Sequence, residues 1–234
     1  MEHHVELAAL TQPCIDQVNA QDFTAYIARI GRVKSNPEKL LRYLINHAHW
    51  SPFEHTFVTF KITTSRAMGR ELLRHRSFTF QELSQRYETA PHILTPDLRA
   101  QSLKNRQSST IDYNPFIEHP HTKEMVPALQ VVSEHIATTQ KLYEQLLAAG
   151  IARECARFML PECTSTTILM SGSLRSWIHF FAARDHPDAQ KEIQEIARDI
   201  KDIFLDKFPV IAEAAFPAPA IPELIETAPR EISV

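Results

Sequence analysis

Two β-branched runs, far apart in the chain, limit what it can fold into. Residues 55–64 read HTFVTFKITT and residues 164–171 read TSTTILMS. Val, Ile, Thr and Phe at this density favour strands. Residues 3–11 alternate loosely and suggest a first strand. Helical segments fall between these strands, but the intervals are uneven. Even βαβ alternation would signal a doubly wound parallel sheet, so uneven spacing favours an α+β fold with a mainly antiparallel sheet. Only four glycines are present, and none stands in GxGxxG or GxxxxGK. No Rossmann or P-loop phosphate cradle can therefore be claimed.

Long helices should flank the sheet and form a helical subdomain. Asn36-Pro37-Glu38 opens one, with Asn36 as N-cap and Pro37 in the first position. Leu40, Leu41, Leu44 and Ile45 supply its stripe, and it should end near His47. Residues 66–75 read as helix, with Met68, Leu72 and Leu73 inward. Residues 89–122 carry four prolines and read as loop with short helical pieces. From 123 to 149 the spacing of Met125, Leu129, Val132, Ile136, Leu142 and Leu146 predicts a long helix. Pro127 falls in its first turn or so, and Gly150 closes it. That stripe reads as core or subunit interface. Further helices are expected at 152–159, 174–184 and 189–208. The proline-rich tail, 209–234, should wrap or fray.

The 234 residues fit one domain, 1–234. The formal charge of −3 gives no global basic field, so an anionic ligand must be met by local arginines. No apolar run approaches a membrane span. Cys14, Cys155 and Cys163 lack metal-type spacing, and a reducing cytoplasm suits them.

The densest polar cluster is RHRSFTFQELSQRY, residues 74–87. Arginine forks bind phosphate and carboxylate bidentately. Phe78, Phe80 and Tyr87 place stacking surface beside them. An isolated RHR would more often be a solvated helix end complementing the dipole. The length of the whole run favours an anion site.

This run resembles the RHRxxSxxxxSxR signature of flavin-dependent thymidylate synthases, with Thr79 in the first serine slot. Threonine keeps the hydroxyl. Three more blocks resemble the family in its order: HAHWSPFEHTFVTFKI (47–62), RECARFMLP (153–161) and SLRSWIHFFAARDHPDAQKEI (173–193). Glu71 stands where many members carry glutamine.

The resemblance implies an enzyme that converts dUMP to dTMP. Methylenetetrahydrofolate gives the carbon, FADH2 the hydride, and NADPH reduces the flavin. It implies a homotetramer whose sites are shared between subunits. Carried across, Arg184 contacts and activates the uracil ring. Glu71, Leu72, Leu73, Arg74, Glu82, Leu83, Ser84, Gln85, Arg86 and Arg157 complete the dUMP set. Ser51, Arg74, His75, Arg76, Glu82, Ser173, Leu174, Arg175 and His179 form the FAD set, with His49 at the flavin edge. Without the resemblance, Arg157 and Arg175 would read as exposed helical ion-pair residues.

No protein nucleophile is required, and Ser84 has no evident adjacent base. His47, His49 and His55 first suggest a metal-dependent hydrolase. Their spacing lacks the HExxH pair of a catalytic zinc site, and no metal is expected. A nucleic-acid-binding module built on RHR is the other competitor. It would show steep salt dependence, whereas a mononucleotide site would take dUMP and little polymer.

Overall fold

The computed structural model describes residues 1–15, 18–29, 36–87 and 92–217. Parts of the expected 89–122 loop and of the tail, 89–91 and 218–234, lie outside these residues. The fold is α+β. In chain order it contains β1 (His4–Leu10), α1 (Ala20–Arg29), α2 (Pro37–Asn46), β2 (Phe57–Ser65), α3 (Arg66–Leu72) and β3 (Thr79–Glu82). Short strands follow: β4 (Arg99–Gln101), β5 (Ser109–Asp112), β6 (Phe116–Glu118) and β7 (Met125–Pro127). Then come α4 (Ala128–Ala148), α5 (Arg153–Ala156), β8 (Ser165–Ser173), α6 (Leu174–Arg184), α7 (Lys191–Lys207) and α8 (Pro209–Ala215).

The main sheet has the order β1-β2-β8-β3, and every neighbouring pair is antiparallel. The two β-branched runs seen in the sequence are its central pair, in register from Phe57↔Ser173 to Ser65↔Ser165. Alternation decides the faces. Val58, Phe60, Ile62, Ile168 and Met170 are buried on one side. The other side carries threonine and serine ladders, with Thr59 donating to Ser171 at 2.9 Å and Thr63 bonded to Thr167 at 3.2 Å.

On the buried face lie α6 and α7. Trp177 is fully buried, packs edge-on against Phe60, and donates its indole N–H to the Val58 carbonyl at 3.1 Å. That bond satisfies a buried donor which would otherwise be costly. Ile193, Ile196, Ala197, Ile200 and Phe204 give α7 a continuous buried stripe.

Several expectations are met in detail. The Asn36 side chain accepts from the Glu38 N–H at 2.9 Å, capping α2. Gly150, with φ +85°, follows the end of α4, a position that favours glycine. Ser165–Ser173 and Leu174–Arg184 fall where the β-branched run and the arginine-containing helix were expected.

Other elements depart from the reading. The long helix begins at Ala128 rather than 123, because 125–127 pair with 116–118 and Pro127 serves as N-cap. Within the expected loop, β4–β7 are short strands rather than helical pieces. The helix from Arg66 stops at Leu72, so Leu73 faces outward. The expected 152–159 helix is one α turn followed by a 3-10 turn, 157–159. Part of the tail, Pro209–Ala215, is the helix α8, with Ile211 and Ala212 fully buried.

Candidate functional site

Residues 71–86 run from the C-terminal end of α3, through a tight turn, into β3 and a loop beyond it. Phe78 anchors the turn. It is buried, with its ring against Trp177 at 4.6 Å between centroids. Gly172 of β8 makes this approach possible, since a Cβ there would meet the Phe78 ring at 2.4 Å. β3 then pairs with β8 from Thr79↔Ser171 to Glu82↔Ile168. The departure at Thr79 is accommodated: its hydroxyl donates to the Ser171 carbonyl at 3.4 Å.

Three clusters lie along this path. The first gathers around Arg184, the last residue of α6. Its Nε donates to His75 Nε2 at 2.8 Å, and its Nη1 donates to Glu71 Oε2 at 3.4 Å. Burial, and then the Arg184 charge, lower the His75 pKa to about 4. His75 is therefore neutral at physiological pH, and its Nε2 accepts. The guanidinium is held from two sides by a neutral ring and a carboxylate.

The second cluster sits at the N-terminus of α6. Glu54, Ser77, Ser173, Arg175, Ser176 and His179 line a cavity of about 300 Å³. Ser173 caps the helix by accepting from the Ser176 N–H at 3.3 Å, and Ser176 donates to the Ser77 carbonyl at 3.1 Å. Arg175 is ion-paired with Glu54. Trp50 packs edge-on against His179, 5.1 Å between centroids, which brings the 51–54 turn alongside. A helix N-terminus flanked by arginine, histidine and hydroxyls is suited to anionic oxygens.

The third cluster is beyond β3. The Ser84 hydroxyl accepts from the Arg86 N–H at 3.3 Å, and Arg86 pairs with Glu154 of α5 at 3.4 Å. Glu154 lies one turn before Arg157, whose guanidinium is 5.8 Å from the centre of the Phe158 ring. The side-chain amide nitrogen of Gln85 is buried with no protein partner.

The structure thus joins Arg184 to His75 and Glu71, and Ser173 to Arg175 and His179. Arg86 lies beside α5, which leads into Arg157. No described hydrogen bond or ion pair joins Arg184 to Ser84 or Arg86. Arg74 and Arg76 are exposed and form no ion pair among the described residues. Leu72 and Leu174 are fully buried, so only their backbones can face a ligand. Leu73 and Leu83 are exposed. Glu82 is engaged by Arg66 at 3.3 Å and by the Thr166 hydroxyl at 2.8 Å. Ser51 is exposed at the start of the 51–54 turn.

Sequence reasoning missed Glu54, Arg66, Ser77, Thr166 and Ser176. Glu54 was signalled by its place in the SPFEH block, and Ser176 by its spacing of three from a capping serine. Arg66 and Thr166 had no local signal, because only strand pairing brings them to Glu82.

The suspected histidine cluster is built otherwise. His47 stacks on Tyr43, 4.0 Å between centroids, and bonds its carbonyl at 2.9 Å. Among the described residues, no group of three or more His, Cys, Asp or Glu could hold a metal ion.

The sequence model described as thymidylate synthase complementing protein matches residues 6–210. This chain belongs to that family, the flavin-dependent thymidylate synthases. A probable flavin-dependent thymidylate synthase of Paramecium bursaria Chlorella virus 1 is 41% identical over 220 residues, covering 89% of this chain and 97% of that protein. The flavin-dependent thymidylate synthase of Synechocystis sp. is 41% identical over 217 residues, covering 90% and 98%. That of Thermosipho africanus is 33% identical over 189 residues, covering 79% and 80%.

Proposed function

We propose that residues 1–234 act as one flavin-dependent thymidylate synthase domain that converts dUMP to dTMP. Methylenetetrahydrofolate would give the carbon and NADPH the electrons, and four copies would share their sites. The observation that carries this reading is the Arg184 guanidinium, fixed by His75 and Glu71 at one end of the arginine-rich run.

Bound FAD, once reduced by the nicotinamide, would supply the hydride to the pyrimidine. The residues present fit its anionic part: the α6 N-terminus, Arg175, His179 and the serines around the 300 Å³ cavity. Ser51, Arg74, Arg76, Glu82 and Leu174 would complete the contacts, Leu174 through its backbone.

Each residue has a distinct task. Arg184 donates to the ring edge and stabilises negative charge that develops there, an effect of a few kcal/mol for a preorganised donor. His75, being neutral, orients that donor and adds no competing charge. Arg74, Arg86 and Arg157 hold the phosphate, with the Ser84 hydroxyl beside them. Glu71, Leu72, Leu73, Glu82, Leu83 and Gln85 shape the nucleotide pocket.

Two of the chain's own nucleophiles, Cys163 and Ser84, are poorly prepared for attack. Burial pushes the Cys163 thiol up, away from the thiolate form. Ser84 caps a turn and has no histidine partner among its described bonds. Activation of the ring by Arg184, with no covalent adduct to protein, fits that chemistry.

The deciding experiment is an anaerobic assay of reduced-flavin oxidation, with and without dUMP and methylenetetrahydrofolate, watching for dTMP. Oxidation coupled to dTMP supports the reading. A purified protein that holds no flavin, or forms no dTMP, overturns it.

A further inference from the structure

A polar cavity of about 370 Å³ lies between the hairpin of β4 and β5 and the start of α7. None of its lining residues belongs to the dUMP or FAD sets. Only Pro187 and Ala189 among them are apolar, and none is aromatic. Three are cations: Arg99, Arg106 and Lys191. Arg106 is exposed and forms no ion pair among the described residues. Lys191 reaches Asp112 only at 4.0 Å, and both side chains are exposed. Arg99 is the buried one, at 8% side-chain exposure. Its Nε donates to the Ser109 hydroxyl at 2.9 Å and its Nη2 to Glu192 at 2.5 Å. Its Nη1 is buried with no protein partner. A buried donor without an acceptor is costly.

The backbone adds to the same field. Helix α7 is 17 residues long and starts at Lys191 with no side-chain cap. The first N–H groups of a helix have no partner within it, and they carry the positive end of its dipole. Glu192, the acidic residue of this first turn, is committed to Arg99 and to the Gln190 amide, 2.8 Å away. It is not among the residues that line the cavity.

We propose that this cavity is a second ligand site, which takes a phosphate group, free or carried on a small hydroxylated molecule. Two guanidinium groups, an ammonium and an open helix N-terminus match the oxygens of a phosphate. The serine, threonine and glutamine side chains around them suit a sugar-like body. A base would find no aromatic ring to stack on. The inference stands apart from the proposed function, since none of these residues is asked to touch dUMP or flavin.

The test is calorimetric titration of the FAD-loaded full chain, with dUMP in excess to fill the nucleotide site. Inorganic phosphate and ribose 5-phosphate are the probes, each titrated separately with chloride holding the ionic strength constant. Wild type should bind both saturably. Tighter binding of ribose 5-phosphate would show that the site reads a carried phosphate, and equal constants that it reads the phosphate group alone. The double variant Arg106→Gln, Lys191→Gln changes two exposed side chains, so the fold should be spared, as thermal melting will check. It should weaken both probes about tenfold or more, the loss of two charge-assisted contacts, and leave the dissociation constant for dUMP unchanged. Absence of saturable binding by wild type overturns the inference. So do probe constants that the double substitution leaves unchanged, or a matching loss of dUMP affinity, which would make the two sites one.

Discussion

The two halves of this molecule use the same apolar residue types and finish differently. In the half built on the main sheet, Trp177, Phe180, Phe181 and Phe204 are essentially inaccessible, interlocked between β2, α6 and α7. In the half built from β4–β7 and α4, Leu103, Ile111, Tyr113, Phe116 and Met125 stand exposed. The stripe of α4 is only partly covered, and Val132 and Ile136 line an open cavity of about 530 Å³ with Leu98, Ile117 and Pro161. The core of the first half finds its complement within the chain, while Tyr43, Phe57, Leu169 and Leu205 stand exposed on its surface. The second presents apolar area of a kind that marks surfaces covered by association. Shared sites between subunits, as proposed, would put that area to use.

The strongest way to break this contrast is to delete one large side chain from each half. Trp177→Ala should lower the free energy of unfolding by about 3–5 kcal/mol, through lost transfer energy and the cavity left behind. Phe116→Ala should change it by less than about 0.5 kcal/mol in dilute protein, yet weaken self-association. Urea denaturation reads the first quantity and sedimentation velocity the second. If Phe116→Ala proves as destabilising as Trp177→Ala while the assembly state stays fixed, the two halves are not different in kind.

What was legible in the sequence follows local pattern rather than that division. Strands β2 and β8 and helices α2, α6 and α7 were readable because each carries a local residue pattern of its own, and α2 also its Asn36 cap. Helix α1 was not. Its buried positions are Ala20, Gln21, Thr24 and Ala25, small or polar residues that make no apolar stripe. Helix α8 was hidden for a different reason. The N–H of Val210 is satisfied by the side chain of Gln21 at 2.9 Å, a partner 189 residues away. Strands β4–β7 are three or four residues long, too short for alternation to register. For the site, motif spacing pointed to Arg184, His75 and Glu71, which converge, but could not show that three of the arginines already hold glutamates: Arg175 with Glu54, Arg86 with Glu154, and Arg184 with Glu71. Such pairs form only through the folded topology.

A smaller effect belongs to the joint between the halves. Arg99 of β4 and Glu192 of α7 form a 2.5 Å ion pair with both side chains under 10% exposed. Glu192→Ala would leave the buried guanidinium unpaired, at a cost of about 3 kcal/mol. The pair also has a pH signature. Burial raises the Glu192 pKa, but hydrogen bonds from Arg99 and Gln190 outweigh it and leave the value below the ordinary carboxylate range. A depressed folded pKa means that the stabilisation is complete above the unfolded value, about 4.3, and is lost as pH falls through the folded one. Unfolding free energies measured from neutral to acid pH should therefore fall less steeply in Glu192→Ala than in wild type. Identical slopes would show that the joint contributes nothing to acid sensitivity.

The least effect on stability is expected where the proposed effect on binding is large. Arg86 and Glu154 are both more than half exposed, so their 3.4 Å pair is screened by solvent. Arg86→Ala should cost less than about 1 kcal/mol of folding stability. If the same guanidinium exchanges Glu154 for the dUMP phosphate, the variant loses a charge-assisted contact and its dissociation constant for dUMP should rise about tenfold or more. Thermal melts and flavin-perturbation titrations on one preparation separate the two quantities. The informative partner is Glu154→Ala, which frees Arg86 without removing it. That variant should bind dUMP at least as tightly as wild type, because the nucleotide no longer competes with a carboxylate. If Glu154→Ala weakens dUMP to the same degree as Arg86→Ala, the pair acts as a strut that shapes the 84–87 turn, and the phosphate must be held elsewhere along the run.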